Sequence, residues 1–237
     1  MFTFKGRTSR EMGLEVANNL IYPSSGREIE FINVNGRNGS LAMDKGRYDD
    51  VVFAIPVIMK TGNKLVESRL TNLTDWLLTD TEYHDFLWSS TPDYVYRAMC
   101  HQRYNMDRVM RNIGRATISF RLKPIKYLKQ SLDDVTIISD TVITNRFNID
   151  ALPRITIVGD GDMIFQIGES ELRLRDIRGG CIVDSEMETI TNLDGDVALF
   201  SNMLSYPFPT LQNGNNRITF EGDIVTVSMQ TKIGALI

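Results

Sequence analysis

Apolar residues in this chain recur with more than one period, and the period changes along its length. Ala116, Ile118, Phe120 and Leu122 alternate with Thr117, Ser119, Arg121 and Lys123. A period of two puts the apolar set on one face and predicts a strand. Pro124 lacks a backbone donor and predicts the end of that strand. Val51 to Ile55 is a run of apolar residues that reads as a more fully buried strand, with Pro56 pointing to a sheet edge or a bulge. Between Lys64 and Leu78 the spacing becomes three and four: Leu65, Val66, Leu70, Leu73, Trp76 and Leu77 make one sticky helical face, and Asn63 is placed to cap it. Tyr83 to Trp88 fits a helical turn or a strand equally well.

Past residue 140 the helical spacing disappears. Short apolar runs follow one another: Ile155 to Val158, Met163 to Ile167, Leu172 to Leu174, Cys181 to Val183, Val197 to Phe200, Ile218 to Phe220 and Ile224 to Met229. Glycine, asparagine and aspartate separate them, as in Gly159-Asp160-Gly161-Asp162, Gly179-Gly180, Asp194-Gly195-Asp196, Asn213-Gly214-Asn215-Asn216 and Glu221-Gly222-Asp223. These residues tolerate the positive φ of tight turns. Many short strands between turns predict a sandwich or barrel. The chain is therefore expected to be mainly β with one helix in its first half, in two domains, residues 1–130 and 131–237. The boundary is expected between Pro124 and Asn145, where Lys123 to Asp134 is polar and charged without clear periodicity.

At 237 residues and 42% apolar composition the chain can bury a core without staples. Its net charge of −4 argues against wrapped nucleic acid, which needs a basic surplus. Cys100 and Cys181 stand far apart without metal-ligand or redox spacing, so buried thiols in a reducing compartment are expected. No apolar run approaches the roughly 20 residues of a membrane helix, and Met1 to Gly6 does not read as a signal peptide. No membrane association is expected.

A search for chemistry finds little. His84 and His101 are the only histidines, 17 positions apart by their numbers, and form no local metal pair. There is no GxSxG elbow and no cysteine in a protease-like setting. Asn192, Asp194 and Asp196 begin like a calcium loop, but Gly195 comes too early and Met203 stands where a bidentate glutamate belongs. Asp160 and Asp162 are a weaker version, and both sets read as turns. Gly159-Asp160-Gly161 lacks the helix a phosphate loop requires. Arg103, Arg108, Arg111 and Arg115, and then Arg121, Lys123, Lys126 and Lys129, with Tyr104 and Tyr127 interleaved, suggest single-strand binding at most, and a solvated surface is the plainer reading. Trp76, Tyr83, Phe86, Trp88, Tyr94, Tyr96 and Tyr104 are expected to be mostly core. No catalytic residue, cofactor or metal ligand is assigned.

The ordered succession of weak motifs says more than any one of them. Phe4-x-Gly6, Ser9 and Gly13-Leu14-x-Val16 resemble the opening of siphophage distal tail proteins. Val34-Asn35-Gly36-Arg37-Asn38-Gly39-Ser40-Leu41 looks like that family's GRxG turn, before a Tyr-containing segment at Gly46-Arg47-Tyr48. Asn145, Pro153-x-Ile155-x-Ile157-x-Gly159, Ile182-Val183-Asp184-Ser185-Glu186 and Phe208-Pro209-x-Leu211-x-x-Gly214-x-Asn216-x-Ile218 look like its C-terminal domain. The resemblance spans nearly the whole chain. It gives structural turn roles to Gly6, Gly13, Gly36, Arg37, Gly39, Pro153, Gly159, Asp184, Pro209, Gly214 and Asn216.

What the resemblance implies is a virion tail protein assembled in the host cytoplasm. An N-terminal belt domain would close a hexameric ring, and a galectin-like β-sandwich would project from it. The implied partners are further copies of the chain, the tail tube protein, the tail-tip or tail-associated protein, and receptor-binding or baseplate proteins. DNA would cross the lumen without specific binding, which suits an acidic balance. The chain is short for the family and leaves little room for an inserted sugar-binding module. The runner-up is a carbohydrate-binding module for host cell-wall sugars. Residues 145–237 contain no histidine, which argues against galectin-type sugar binding.

Overall fold

A computed structural model describes all 237 residues. It divides them into two units, Met1–Lys126 with Leu236–Ile237, and Tyr127–Ala235. The division falls after Lys126, and the last two residues belong to the first unit. The chain is mainly β, with a single α-helix.

The first unit holds β1 (Phe2–Phe4), β2 (Arg7–Thr8), β3 (Leu14–Val16), β4 (Arg27–Ile32), β5 (Leu41–Tyr48), β6 (Val51–Lys60), helix α1 (Glu67–Leu78), β7 (His84–Trp88), β8 (Tyr94–Met99), β9 (Asp107–Met110) and β10 (Ile113–Leu128). Its sheet runs β2-β1-β7-β8-β10-β6-β3. The segment Tyr83 to Trp88 is thus resolved as strand. β10 shows the expected alternation, with Ile118, Phe120 and Leu122 buried. It does not end at Pro124. Pairing with β6 stops at Leu122↔Val51, so no β6 carbonyl waits for the missing proline donor, and the Pro124 carbonyl accepts the Ile237 N–H at 3.0 Å.

β6 is half-buried rather than fully buried: Val51, Phe53, Ile55, Val57 and Met59 face the core, while Val52 and Ala54 face out. Pro56 causes no bulge, since the register to β10 is unbroken from Val51 to Lys60. Its carbonyl accepts the Ala17 N–H at 2.9 Å, one residue past the end of β3. The absent donor therefore lies where the neighbouring strand stops, a local sheet edge.

Helix α1 starts at Glu67, later than expected, and Asn63 does not cap it. The preceding turn uses the chain otherwise: Lys64 N–H bonds Thr61 O at 3.2 Å, and Val66 N–H bonds Arg111 O at 3.2 Å. Leu73, Trp76 and Leu77 are its buried face. The Trp76 indole N–H donates to Phe4 O at 2.9 Å, tying the helix to β1. Trp76, Phe86, Trp88 and Tyr96 are core, as expected, and Phe2, Phe4, Phe53 and Phe120 join them. Phe86 is the hub, stacked or edge-on against Phe2, Phe53, Trp88 and Tyr96, and Phe120 packs with ring centroids 5.4, 5.1 and 5.0 Å from Phe2, Phe4 and Phe86.

The second unit holds β11 (Val135–Thr136), β12 (Thr141–Asn145), β13 (Arg154–Ile167), β14 (Ser170–Ile177), β15 (Cys181–Asp184), β16 (Thr189–Thr191) and β17 (Gly214–Gln230); β18 (Gly234–Leu236) pairs back onto β10. Four expected turns or runs read differently here. Gly159-Asp160-Gly161-Asp162 and Glu221-Gly222-Asp223 do not separate strands. They lie inside β13 and β17, facing each other at register shifts from Val158 to Met163. Asn213-Gly214-Asn215-Asn216 is not a separator beyond Asn213, because β17 opens at Gly214. Val197 to Phe200 is no strand: Ala198 makes one isolated bridge to Thr191, and Phe200–Asn202 is a 3-10 turn.

Bulging lets β13 and β17 serve two half-sheets. β14 pairs the later part of β13 and β12 the earlier part of β17; β15 and β11 pair the opposite parts. Ile155, Ile157, Met163, Phe165, Ile167, Val227 and Met229 from both halves share one core. Bulges are the usual means of bending a strand around such a corner. Gly159 is required there, since a Cβ would lie 2.3 Å from Asp223 O.

Candidate interaction surfaces

Lys5 and Gly6 form a two-residue turn between Phe4 and Arg7, both at positive φ (48° and 71°), the twist that suits a tight hairpin. Gly13 sits at the start of β3, its carbonyl accepting Lys60 N–H at 2.9 Å. Gly36, Arg37 and Gly39 occupy the exposed tip between β4 and β5. Pro153 is buried just before β13 and accepts Ser185 N–H at 3.0 Å. Gly159 lies in the bulge, Gly214 opens β17 opposite Asn145, and Pro209 is buried in the preceding loop.

Asp184 accepts Glu186 and Met187 N–H groups at 3.1 and 3.2 Å and the Lys232 ammonium at 3.1 Å. Buried Asn216 accepts Gln212 N–H at 2.9 Å and donates to Gln212 O at 2.8 Å, pinning the loop before β17. Asn145 does the same for the loop after β12, donating to Ile149 O and Leu211 O. These positions are turns and locks spread through both units. The structure does not bring them together into one site.

The ionisable groups are equally occupied. His84 Nε2 lies 2.9 Å from Asp80 Oδ1, and the Lys5 ammonium 2.6 Å from Asp80 Oδ2. Lys5, then His84, hold the Asp80 carboxyl down at about 2, so it stays a carboxylate. An open cleft of about 820 Å³ beside them includes Arg7, Glu11, Arg69 and Asp75, a set of balanced fixed charges. Burial pushes the Cys100 and Cys181 thiols up to about 11 and about 12, away from the reactive thiolate. No three His, Cys, Asp or Glu side chains gather as a metal set. Asp160, Asp162 and Asn192 instead accept backbone N–H groups of Gly179, Asp176 and Asp196. Tyr127 is buried and donates to Glu186, so it is no stacking platform, and Arg108 pairs with Glu67. No helix is long and apolar enough to cross a membrane.

The β4–β5 hairpin, by contrast, has no partner. It forms a two-stranded sheet of its own. Its register puts Ile29 and Phe31 on one face and Ile32, Leu41 and Met43 on the other. Phe31 is 67% exposed, and Ile29, Leu41, Met43 and the tip residue Val34 are exposed too. Near its base, pairs of Arg27 with Asp44, Arg47 with Glu28 and Lys45 with Glu30 link the strands. An isolated hairpin is marginal in water, and apolar groups on both faces call for cover from another surface. Sequence reading missed this arm because its apolar residues fall at both parities and give no single period.

The uncovered arm stands on a two-unit β scaffold whose fold is that of a phage distal tail, or hub, protein. One solved structure that matches is SPP1 Dit (gp 19.1), described as a paradigm of the hub adsorption apparatus in phages infecting Gram-positive bacteria. It superposes with a TM-score of 0.72 over 96% of this chain and 97% of its own, at 15% sequence identity. No family model and no curated protein matches the sequence.

Proposed function

We propose that this chain is a non-enzymatic distal tail protein whose copies close a hexameric ring. The observation that carries the reading is the end-to-end fold match to SPP1 Dit, and the uncovered β4–β5 arm supports it. A heterologous contact repeated about an axis closes when its rotation divides a full turn, and the arm is the natural donor of such a contact. In this reading residues 1–130 form the belt, and residues 131–237 form a galectin-like sandwich that projects from it. The ring joins the tail tube to the tail-tip protein in the virion and anchors receptor-binding or baseplate proteins. Assembly takes place in the host cytoplasm, and DNA crosses the lumen without specific contacts, which suits the net charge of −4.

Native mass spectrometry and electron microscopy test the reading, on the chain alone across a concentration series and on the chain co-expressed with its tail-tip protein. Rings of six copies in either sample are expected. Monomer in both samples overturns the proposal. Phe31→Asp with Met43→Asp is expected to abolish rings while leaving the circular dichroism spectrum intact.

A further inference from the structure

The second unit carries an open groove of about 580 Å³ between edge strand β14 and the loop that leads to β17. Its lining includes Glu169, Glu171, Arg173, Ser205, Tyr206 and Gln212. Glu171 and Arg173 project from the exposed side of β14, with Leu172 and Leu174 buried behind them. The Arg173 guanidinium grips the Glu171 carboxylate through Nε and Nη2 at 2.5 and 3.2 Å. The loop is clamped to the strand at both ends. Leu204 N–H donates to Arg173 O at 2.8 Å, Arg173 N–H to Ser205 Oγ at 2.9 Å, and Thr210 N–H to Ser170 Oγ at 3.3 Å. Tyr206 stands between these clamps, 80% exposed.

We propose that this groove is a saccharide subsite for a neutral pyranose residue of a glycan. It goes beyond the tail role and stands or falls separately from it. An exposed phenol ring offers a flat apolar face to the axial C–H groups of a sugar, and its hydroxyl stays wet. The Glu171–Arg173 fork, with Gln212 in the same lining, offers both donors and acceptors, the pattern that adjacent sugar hydroxyls satisfy. Clamping at both loop ends means little ordering is required when a ligand arrives. The volume falls within the roughly 300–1,000 Å³ of small-molecule clefts.

Charge selects among ligands. The lining holds two carboxylates, Glu169 and Glu171, and one guanidinium that is already paired with Glu171, so a phosphorylated or acidic glycan is repelled. The same acidic rim disfavours a protein partner, because the centres of protein interfaces are depleted in Glu. The site uses no histidine, both of which lie in the first unit.

The full chain is titrated with maltotriose, lactose, the N-acetylglucosamine trimer and, as the anionic control, a glycerol phosphate oligomer, by saturation-transfer NMR and calorimetry. Saturable binding of at least one neutral sugar is expected. Tyr206→Ala should weaken it at least about tenfold, equivalent to about 1.4 kcal/mol, while Tyr206→Trp retains it. Glu171→Gln should weaken it with no change in melting temperature. No binding across the neutral sugars overturns the proposal. So does preference for the glycerol phosphate oligomer, or unaltered binding by Tyr206→Ala. Loss of co-assembly with tail proteins by Tyr206→Ala, without sugar binding by the parent chain, assigns the groove to a protein instead and overturns it as well.

Discussion

The two units solve the same problem, covering a β-sheet, by opposite means. The first lays a helix on its sheet and fills the gap with aromatic rings, Phe86 and Phe120 among them. The second has no α-helix and bends two long strands around a mostly aliphatic core. Ring packing needs volume and tolerates an ordinary backbone. Bent strands need backbone exceptions, supplied by Gly159 and by asparagine locks at positions 145 and 216. The first unit should therefore be most sensitive to lost side-chain volume, and the second to added volume or a lost lock.

Each unit carries its own reporter, which lets that contrast be broken. Both tryptophans lie in the first unit, and each unit has one buried cysteine, Cys100 and Cys181. The largest effect is expected from Phe120→Ala, about 4 kcal/mol from lost contacts and cavity, read in urea by tryptophan fluorescence and by faster labelling of Cys100. Next comes Gly159→Ala, about 3 kcal/mol, because the clash is with backbone and cannot be relieved by a rotamer change. It should speed labelling of Cys181 and leave Cys100 unchanged. Equal acceleration of both thiols by either variant would remove the contrast.

Asn216→Ala should cost about 2 kcal/mol, since it strands the buried partners of the loop before β17. Gly161→Ala sharpens the point. A Cβ there meets open space, so only the positive φ matters, and about 1 kcal/mol is expected in the same labelling assay.

The smallest effect is electrostatic. Asp80 ionises below its ordinary 3.8, at about 2, so its pairing favours the folded chain at neutral pH, and that contribution fades as pH falls from about 4 to about 2. Asp80→Asn should lower the melting temperature slightly at pH 7. The difference from the parent chain should shrink through that acid window, and a constant gap would contradict the assignment.

How far these features were legible follows from how local their causes are. The alternation of Ile118, Phe120 and Leu122 marks a strand because every second residue must face one side. The helix face Leu73, Trp76 and Leu77 is legible for the same reason at a different period. Gly159-Asp160-Gly161 is misleading by itself. The same residues serve a turn or a bulge, and the choice depends on Glu221-Gly222-Asp223 standing opposite, some sixty positions later. The helix start is another case: Asn63 is a fit cap, but Arg111 O in the turn between β9 and β10 takes the Val66 N–H. Ser205 and Tyr206 carry no periodic signal, and only the clamp onto Arg173 joins them to Glu171.

The amino-acid sequence by itself determined the secondary-structure class, the single helix and the aromatic core of the first unit, because periodicity and bulk act within a few residues. The tertiary structure alone decided that β13 and β17 run through their glycines, that the β4–β5 arm is left uncovered, and that a groove forms beside β14. Each of those outcomes rests on which distant backbone groups meet, and hydrogen-bond partners far apart in the chain are specified only once the sheets have assembled.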